Sequence, residues 1–400
     1  MNSNLLEDNL SEELSSDNNT IISSSSDEIV EHANNLDLQG NILKNYYIIT
    51  ELGRGSYSIV WLAYHKISNK FYAVKVHDLD EYKSGLDEIK FVKLLPKNPP
   101  IFNNLIEYFN YTNNNNKYLC SVWNLHYFNI DTLLRKCNYN NGLPFNVVIK
   151  IMKNLINSIY ILHKKFKVFH GDIKTDNILI KGVNNYIKLI CTKYLEEINK
   201  NKLINNHNEI TKIILEDLSK LDINMHDIDD NFINNINISL SDFGTFCNEK
   251  DYYTGTFGTR YYQAPEIILF GKCSYPVDIW ALGCTFYELL SGNLLFNPIK
   301  DSKGSRDYYH LCLINDTCGI FPYTFIKKTE RYNDFFSNNK LINYISTYDN
   351  NNTRLDNKIN DLSIGENNKL IVKKLLSSML SIDPLKRCNI EYLQNEINKL

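Results

Sequence analysis

From Tyr46 onward, short aromatic and β-branched runs alternate with turns containing glycine or asparagine: Tyr46 to Glu51, Ile59 to Tyr64 and Phe71 to Val76. That spacing predicts an antiparallel sheet, since such side chains pack well on a pleated surface and the turn residues supply the reversals. The period then changes. Leu86, Ile89 and Val92 fall on one face of a helix that Pro96 ends. Val147 to His163 predicts a longer amphipathic helix, and Val277 to Leu290 is apolar almost all round, as a helix buried in a larger lobe must be. Strands first and helices afterwards predict a two-lobed α+β protein.

Two stretches break the pattern. Residues 1 to about 42 are rich in Ser, Asn, Asp and Glu, as in Ser23-Ser24-Ser25-Ser26-Asp27-Glu28. They carry too little apolar surface to offset the entropy of ordering, so a disordered tail is expected, with the folded domain from 43 to 400. Lys181 to Asn237 is rich in Asn, Ile, Lys and Asp, with helical periodicity at Ile214, Leu218, Leu221 and Met225. It reads as an insertion, partly helical or disordered, without recognisable chemistry.

Bulk composition narrows the class. The 400 residues are 43% hydrophobic, which allows a sizeable core, and the net charge of −3 argues against a general nucleic-acid or membrane-surface binder. The nine cysteines are scattered without a CxxC pair, so structural zinc is not expected and reduced thiols are. No apolar run approaches the roughly 20 residues of a membrane span, and the acidic N-terminus is unlike a secretory signal. An intracellular monomer is expected, in the cytoplasm or else the nucleus.

Chemistry enters with Leu52-Gly53-Arg54-Gly55-Ser56-Tyr57-Ser58-Ile59-Val60, between the first two predicted strands. Glycines there let a backbone approach phosphate oxygens that a Cβ would obstruct. Alone, the run is equally a hairpin turn, and Ser58 stands where a third glycine is usual. Further on, Tyr72-Ala73-Val74-Lys75 matches the V-A-I-K strand, whose lysine pairs with the α- and β-phosphates of ATP. A lysine within an apolar strand needs an anionic partner, and of Asp87 and Glu88 on the following helix we choose Glu88.

His170-Gly171-Asp172-Ile173-Lys174-Thr175-Asp176-Asn177 matches the catalytic loop H-R-D-x-x-x-x-N of protein kinases. In that role Asp172 accepts or orients the substrate hydroxyl proton, Lys174 neutralises charge on the transferred group, and Asn177 binds metal. Asp242-Phe243-Gly244, after the short strand Ile238 to Leu240, supplies the second metal ligand, Asp242. Ala264-Pro265-Glu266 follows, with Asp278 expected to tie down the catalytic loop and Arg387 to pair with Glu266. Each motif alone is weak; their order makes chance negligible. One position departs: Gly171 replaces the arginine that often binds an activation-loop phosphate, so activity is expected not to need phosphorylation of Thr254 or Thr256.

The resemblance goes further, from about Asp37 to the C-terminus apart from the insertion. Leu86-Asp87-Glu88-Ile89, Asn138 to Pro144, Leu295-Phe296-Asn297-Pro298, Ser305-Arg306-Asp307 and His310 resemble the SR-protein kinases. That family also carries a spacer between the catalytic loop and the D-F-G position and lacks the arginine before the catalytic aspartate. The chain departs from it in Phe243, where leucine is usual, and in Ala264-Pro265-Glu266, where the family is irregular.

The resemblance implies a bilobal protein-kinase fold: a small antiparallel-sheet N-lobe over 46–123 and a large, mainly helical C-lobe over 124–400. It implies a hinge at Asn124, Leu125 and His126 that binds adenine, with Trp123 as gatekeeper. It also implies ATP with Mg²⁺ or Mn²⁺ and a protein substrate that is basic or Arg-Ser-rich, with Asp307 and Asp316 as candidates for an acidic docking groove. The rival readings are a pseudokinase scaffold, which the missing third glycine favours, and a small-molecule kinase, which Ala264-Pro265-Glu266 disfavours.

Overall fold

The computed structural model describes residues 36–55, 57–201, 207–221, 228–250, 253–299, 305–344 and 355–400. The expected tail up to residue 35, Ser56 and Met225 lie outside them. The folded body begins earlier than residue 43: Leu38 is buried, and strand β1 (Ile42–Leu43) pairs with β2. Composition averaged over the tail hid one leucine that fits the core of the first lobe.

That lobe is a six-stranded antiparallel sheet in the order β1-β2-β3-β4-β6-β5. β2 (Tyr46–Arg54), β3 (Ser58–His65) and β4 (Lys70–His77) realise the three predicted strands. β5 (Leu105–Asn113) and β6 (Asn116–Trp123) complete it, and α1 (Tyr82–Val92) packs beside β6. The pleat divides β2 by alternation: Tyr46 and Ile48 enter the core with Ile59, Trp61, Val74 and Val122, while Tyr47 and Ile49 face the other way.

That second face is also covered. Within the insertion, α4 (Asn185–Asn201) and α5 (His207–Ser219) lay Ile187, Ile190, Tyr194, Ile210, Ile214 and Leu218 on Tyr47, Ile49, Leu62 and Tyr64. The spacing is helical, one apolar stripe per helix. His207 locks the contact: its Nε2–H donates to the Ile48 carbonyl at 2.9 Å and its Nδ1 accepts from the Tyr194 hydroxyl at 2.7 Å. By packing, these helices belong to the sheet lobe, although their position in the chain assigns them to the 124–400 lobe. Leu221 of the expected stripe is half exposed.

The second lobe starts with β7 (His126–Asn129), α2 (Ile130–Lys136) and α3 (Phe145–Ile161). With its wide last turn to Phe166, α3 is the one helix among the described residues long and apolar enough to cross a membrane, a length the apolar-run criterion overlooked. Over half of it is buried here, against α8 (Pro276–Ser291) and α10 (Ile390–Ile397), as a core helix. β8 (Val168–Phe169), β9 (Ile178–Lys181), β10 (Ile238–Leu240) and β11 (Cys247–Asn248) form small sheets that carry the loops described next. α6 (Asp230–Asn234) closes the insertion before β10, and α7 (Pro265–Ile268) and α9 (Arg306–Cys318) flank α8 in the chain.

Candidate active site

The glycine-rich turn joins β2 to β3, closed by the Gly55 N–H donating to Ser58 O at 2.9 Å. Among the described residues a Cβ added at Gly53 would meet nothing within 4 Å, so none of their atoms demands that glycine. What it keeps clear is the open space that a phosphate would enter. Arg54 is tied back to Glu51 by a 2.8 Å ion pair, and Tyr57 is exposed. Ile59 is a correction to the expected nucleotide contacts. Its side chain is buried in the sheet core, while its neighbour Val60, paired with Lys75, takes the other face. Leu52 is half-buried against the α4–α5 cluster.

Ala73 pairs with Trp123 and Lys75 with Ser121 across β4 and β6. The Lys75 ammonium is 2.9 Å from Glu88 and 4.0 Å from Asp242. Burial alone would lower its pKa, but the two carboxylates outweigh it and raise it. Glu88 is buried on α1 and uses its second oxygen to accept the Phe243 N–H at 3.2 Å. Asp87 instead pairs with Lys90 on the surface, which decides between the two acidic candidates. Phe243 packs on Phe91, Phe102 and His170, so the Asp242-Phe243-Gly244 turn is pinned from both lobes. Asp242 has φ +62°, a left-handed conformation that aspartate tolerates better than most residues.

The loop after β8 is held from beneath. Asp278, fully buried at the start of α8, accepts the backbone N–H of His170 (2.8 Å) and Gly171 (2.9 Å) and the His163 Nε2–H (2.8 Å). Asp172 then has both oxygens engaged: Oδ1 accepts the Thr259 N–H at 2.7 Å and Oδ2 lies 2.8 Å from Lys174. Burial raises its pKa, but Lys174 and Thr259 outweigh that and hold it below the usual carboxylate range. With donors on both oxygens, Asp172 suits orienting a hydroxyl more than storing its proton. Lys174 also donates to Thr259 Oγ1 at 2.5 Å. The Asn177 amide nitrogen donates to Asp172 O at 2.9 Å, which leaves its Oδ1 as an acceptor. Together with the Asp242 carboxylate it offers the hard oxygen donors that a small divalent cation prefers.

Farther out, Arg387 and Glu266 form a buried bidentate pair at 2.7 and 3.0 Å, as expected. Trp123 is buried at the end of β6, its indole N–H donating to Ser121 Oγ at 2.9 Å. In the hinge, His126 Nδ1–H donates to the Asn124 carbonyl at 3.1 Å, and burial pushes its pKa down to about 4. Leu125 packs against the α4–α5 cluster. The expected acidic groove is not available at Asp307: its carboxylate is shared between Arg260 and Arg331, which hold its pKa down against the opposing effect of burial. Asp316 accepts from the Tyr344 hydroxyl. A cavity of about 970 Å³ is lined by Tyr127, Lys181, Lys188 and Phe232, and none of the site residues above lines it.

Thr259 is the site residue whose role the sequence hid. It stands 87 residues from Asp172 in the chain, and no local pattern links them.

The protein kinase domain family matches residues 46–397. The chain is similar to a protein named as a serine/threonine-protein kinase in Acanthamoeba polyphaga mimivirus, 26% identical over 88% of this chain and 87% of that one. It is 28% identical to the serine/threonine-protein kinase SRPK of Physarum polycephalum, over 76% of this chain and 74% of that one. It is 26% identical to the dual specificity protein kinase lkh1 of Schizosaccharomyces pombe, over 75% of this chain and 38% of that one.

Proposed function

The chain belongs to the protein kinase family, and from that premise we propose that it is a working serine/threonine kinase, competent without activation-loop phosphate, rather than a scaffold. The observation that carries the proposal is one connected set of contacts. Lys75 meets Glu88, Glu88 meets Phe243, and Asp172 meets Lys174 and Thr259, each contact made by this chain's own side chains and backbone. A scaffold has no need to keep all of these groups in register.

In this reading Lys75 holds the α- and β-phosphates of ATP, and Asn177 and Asp242 hold a divalent cation, Mg²⁺ or Mn²⁺. That cation, when bound, neutralises charge on the phosphates. The hinge backbone at Asn124 and His126 takes the adenine beneath Trp123. Asp172 orients the incoming hydroxyl with a lone pair left over by Thr259 on Oδ1 and by Lys174 and Asn177 on Oδ2. Lys174 lies close enough to Asp172 to stabilise the oxygens of the group in transfer.

For substrate, the likeness to SR-protein kinases supports basic or Arg-Ser-rich segments. With Asp307 taken by two arginines, such a segment would have to be read by other carboxylates. The test combines labelled ATP, Mg²⁺ or Mn²⁺, phosphatase-treated protein and a panel of Arg-Ser, other basic and acidic peptides. Transfer to serine in basic peptides is expected. ATP binding without transfer would favour the scaffold, and preference for acidic peptides would reject the substrate class.

A further inference from the structure

We infer that Gln263 is the positioning residue that holds the activation segment on the catalytic loop in place of a phosphate. The inference rests on the proposed phosphate-independent activity. The mechanism needs Thr259 fixed over Asp172, because its N–H takes Oδ1 and its hydroxyl takes Lys174. Thr259 is preceded by Phe257 and Gly258, and both of their carbonyls accept from Gln263 Nε2, at 3.0 and 3.3 Å. Gln263 is only 4% exposed, so its donors have no ready exchange with water. It follows the 3-10 turn Arg260–Tyr262, whose own bond from Gln263 N–H to Arg260 O (3.1 Å) gives the side chain a fixed base.

The space beneath is filled by backbone. Gly171 has φ +80° and Gly258 φ +68°; a Cβ on Gly258 would lie 2.4 Å from Gly171 O, and one on Gly171 would lie 2.7 Å from Thr245 O. Thr245 adds a bond from its hydroxyl to His170 O at 3.0 Å. The two segments therefore touch where an arginine side chain would otherwise stand. Shape brings them together, and the Gln263 carboxamide sets the register of the segment 257–259, whose Thr259 reaches Asp172.

The test uses the full chain after phosphatase treatment, with Gln263→Met and Gln263→Glu. Methionine keeps the length and removes both donors, so kcat should fall about 10- to 100-fold, the effect of a small misplacement of catalytic groups. The KM for ATP should stay within about twofold, because Lys75 and Glu88 are untouched. Glutamate aims a carboxylate at two carbonyls when ionised, but once protonated it carries one O–H that can donate. The activity of Gln263→Glu relative to wild type should therefore rise as pH falls from 8 to 6. Read as kcat per folded enzyme, that trend separates register from a loss of fold caused by the buried carboxylate, and a flat ratio overturns the inference even if the methionine variant folds poorly. If wild type is active and Gln263→Met matches its kcat, this inference alone fails. If phosphatase-treated wild type is inactive, the reading beneath it fails as well.

Discussion

Replacing Tyr194 by alanine tests whether the insertion is part of the kinase fold or an appendage. Tyr194 is fully buried, with its ring 5.3 Å from Tyr64, 6.0 Å from Phe71 and 5.6 Å from His207. Truncating a buried aromatic of this kind costs about 3–5 kcal/mol through lost transfer energy and the cavity left behind. The hydroxyl contributes separately. Without it, among the described residues, His207 Nδ1 keeps only the long Thr211 contact at 3.4 Å, so Tyr194→Phe should cost about 1 kcal/mol, the net worth of a lost hydrogen bond.

Because the damage falls on one cluster, the assay is amide hydrogen exchange of β2 and β3, read beside the global unfolding midpoint. A local loss of 3 kcal/mol corresponds to protection falling by about 100-fold or more in those strands, with the α3–α8 core little changed. The KM for ATP should rise too, since β2 and β3 lead into the glycine-rich turn. If exchange in β2 and β3 moved by no more than the ±0.5 kcal/mol typical of a surface substitution, the helices would not be holding the sheet.

Asp172→Asn should lower turnover by roughly 10²–10⁴-fold while leaving ATP affinity near wild type, as measured by steady-state kinetics and nucleotide titration; equal turnover would remove Asp172 from its role. Gly171→Arg should abolish activity instead of introducing phosphate dependence, because its Cβ alone would meet Thr245 O at 2.7 Å; peptide phosphorylation before and after phosphatase checks this. Acid should weaken the fold through His77 and His310, both buried and pushed down to about 3, chiefly by burial. With folded values below the unfolded 6.5, the unfolded chain binds more protons, so their contribution is complete above pH 6.5 and declines as pH falls. At pH 5 each should have lost about 2 kcal/mol. Among the described residues His310 has no hydrogen-bond partner for either ring nitrogen, so His310→Phe should flatten the fall in unfolding midpoint between pH 7 and 5.

The α+β order, the strands β2 to β4, the helices around Leu86, Val147 and Val277, and the motif residues were legible in the sequence because each depends on a local period or a fixed spacing. Lys75, Asp172, Asn177 and Asp242 could be named from motif order alone. Glu88 over Asp87 was already a choice between neighbours, and the buried position on α1 decides it. Ile59 was placed on the wrong face because a motif is read as a block, while a strand alternates.

The unbroken apolar run Tyr46–Ile49 carried a sign that both faces of β2 are covered. What covers the second face could not be read, because α4 and α5 lie more than a hundred residues away and their asparagine-rich surroundings obscure two short apolar stripes. The same holds for the Asp307 carboxylate. Its charge suggested a groove for basic substrates, and only the arrival of Arg260 and Arg331 from other segments neutralises it. Local sequence thus determined which elements form and most of the candidates for the chemistry. Tertiary structure decided which groups remain free to act, since partnership depends on contacts between distant segments that no local spacing encodes.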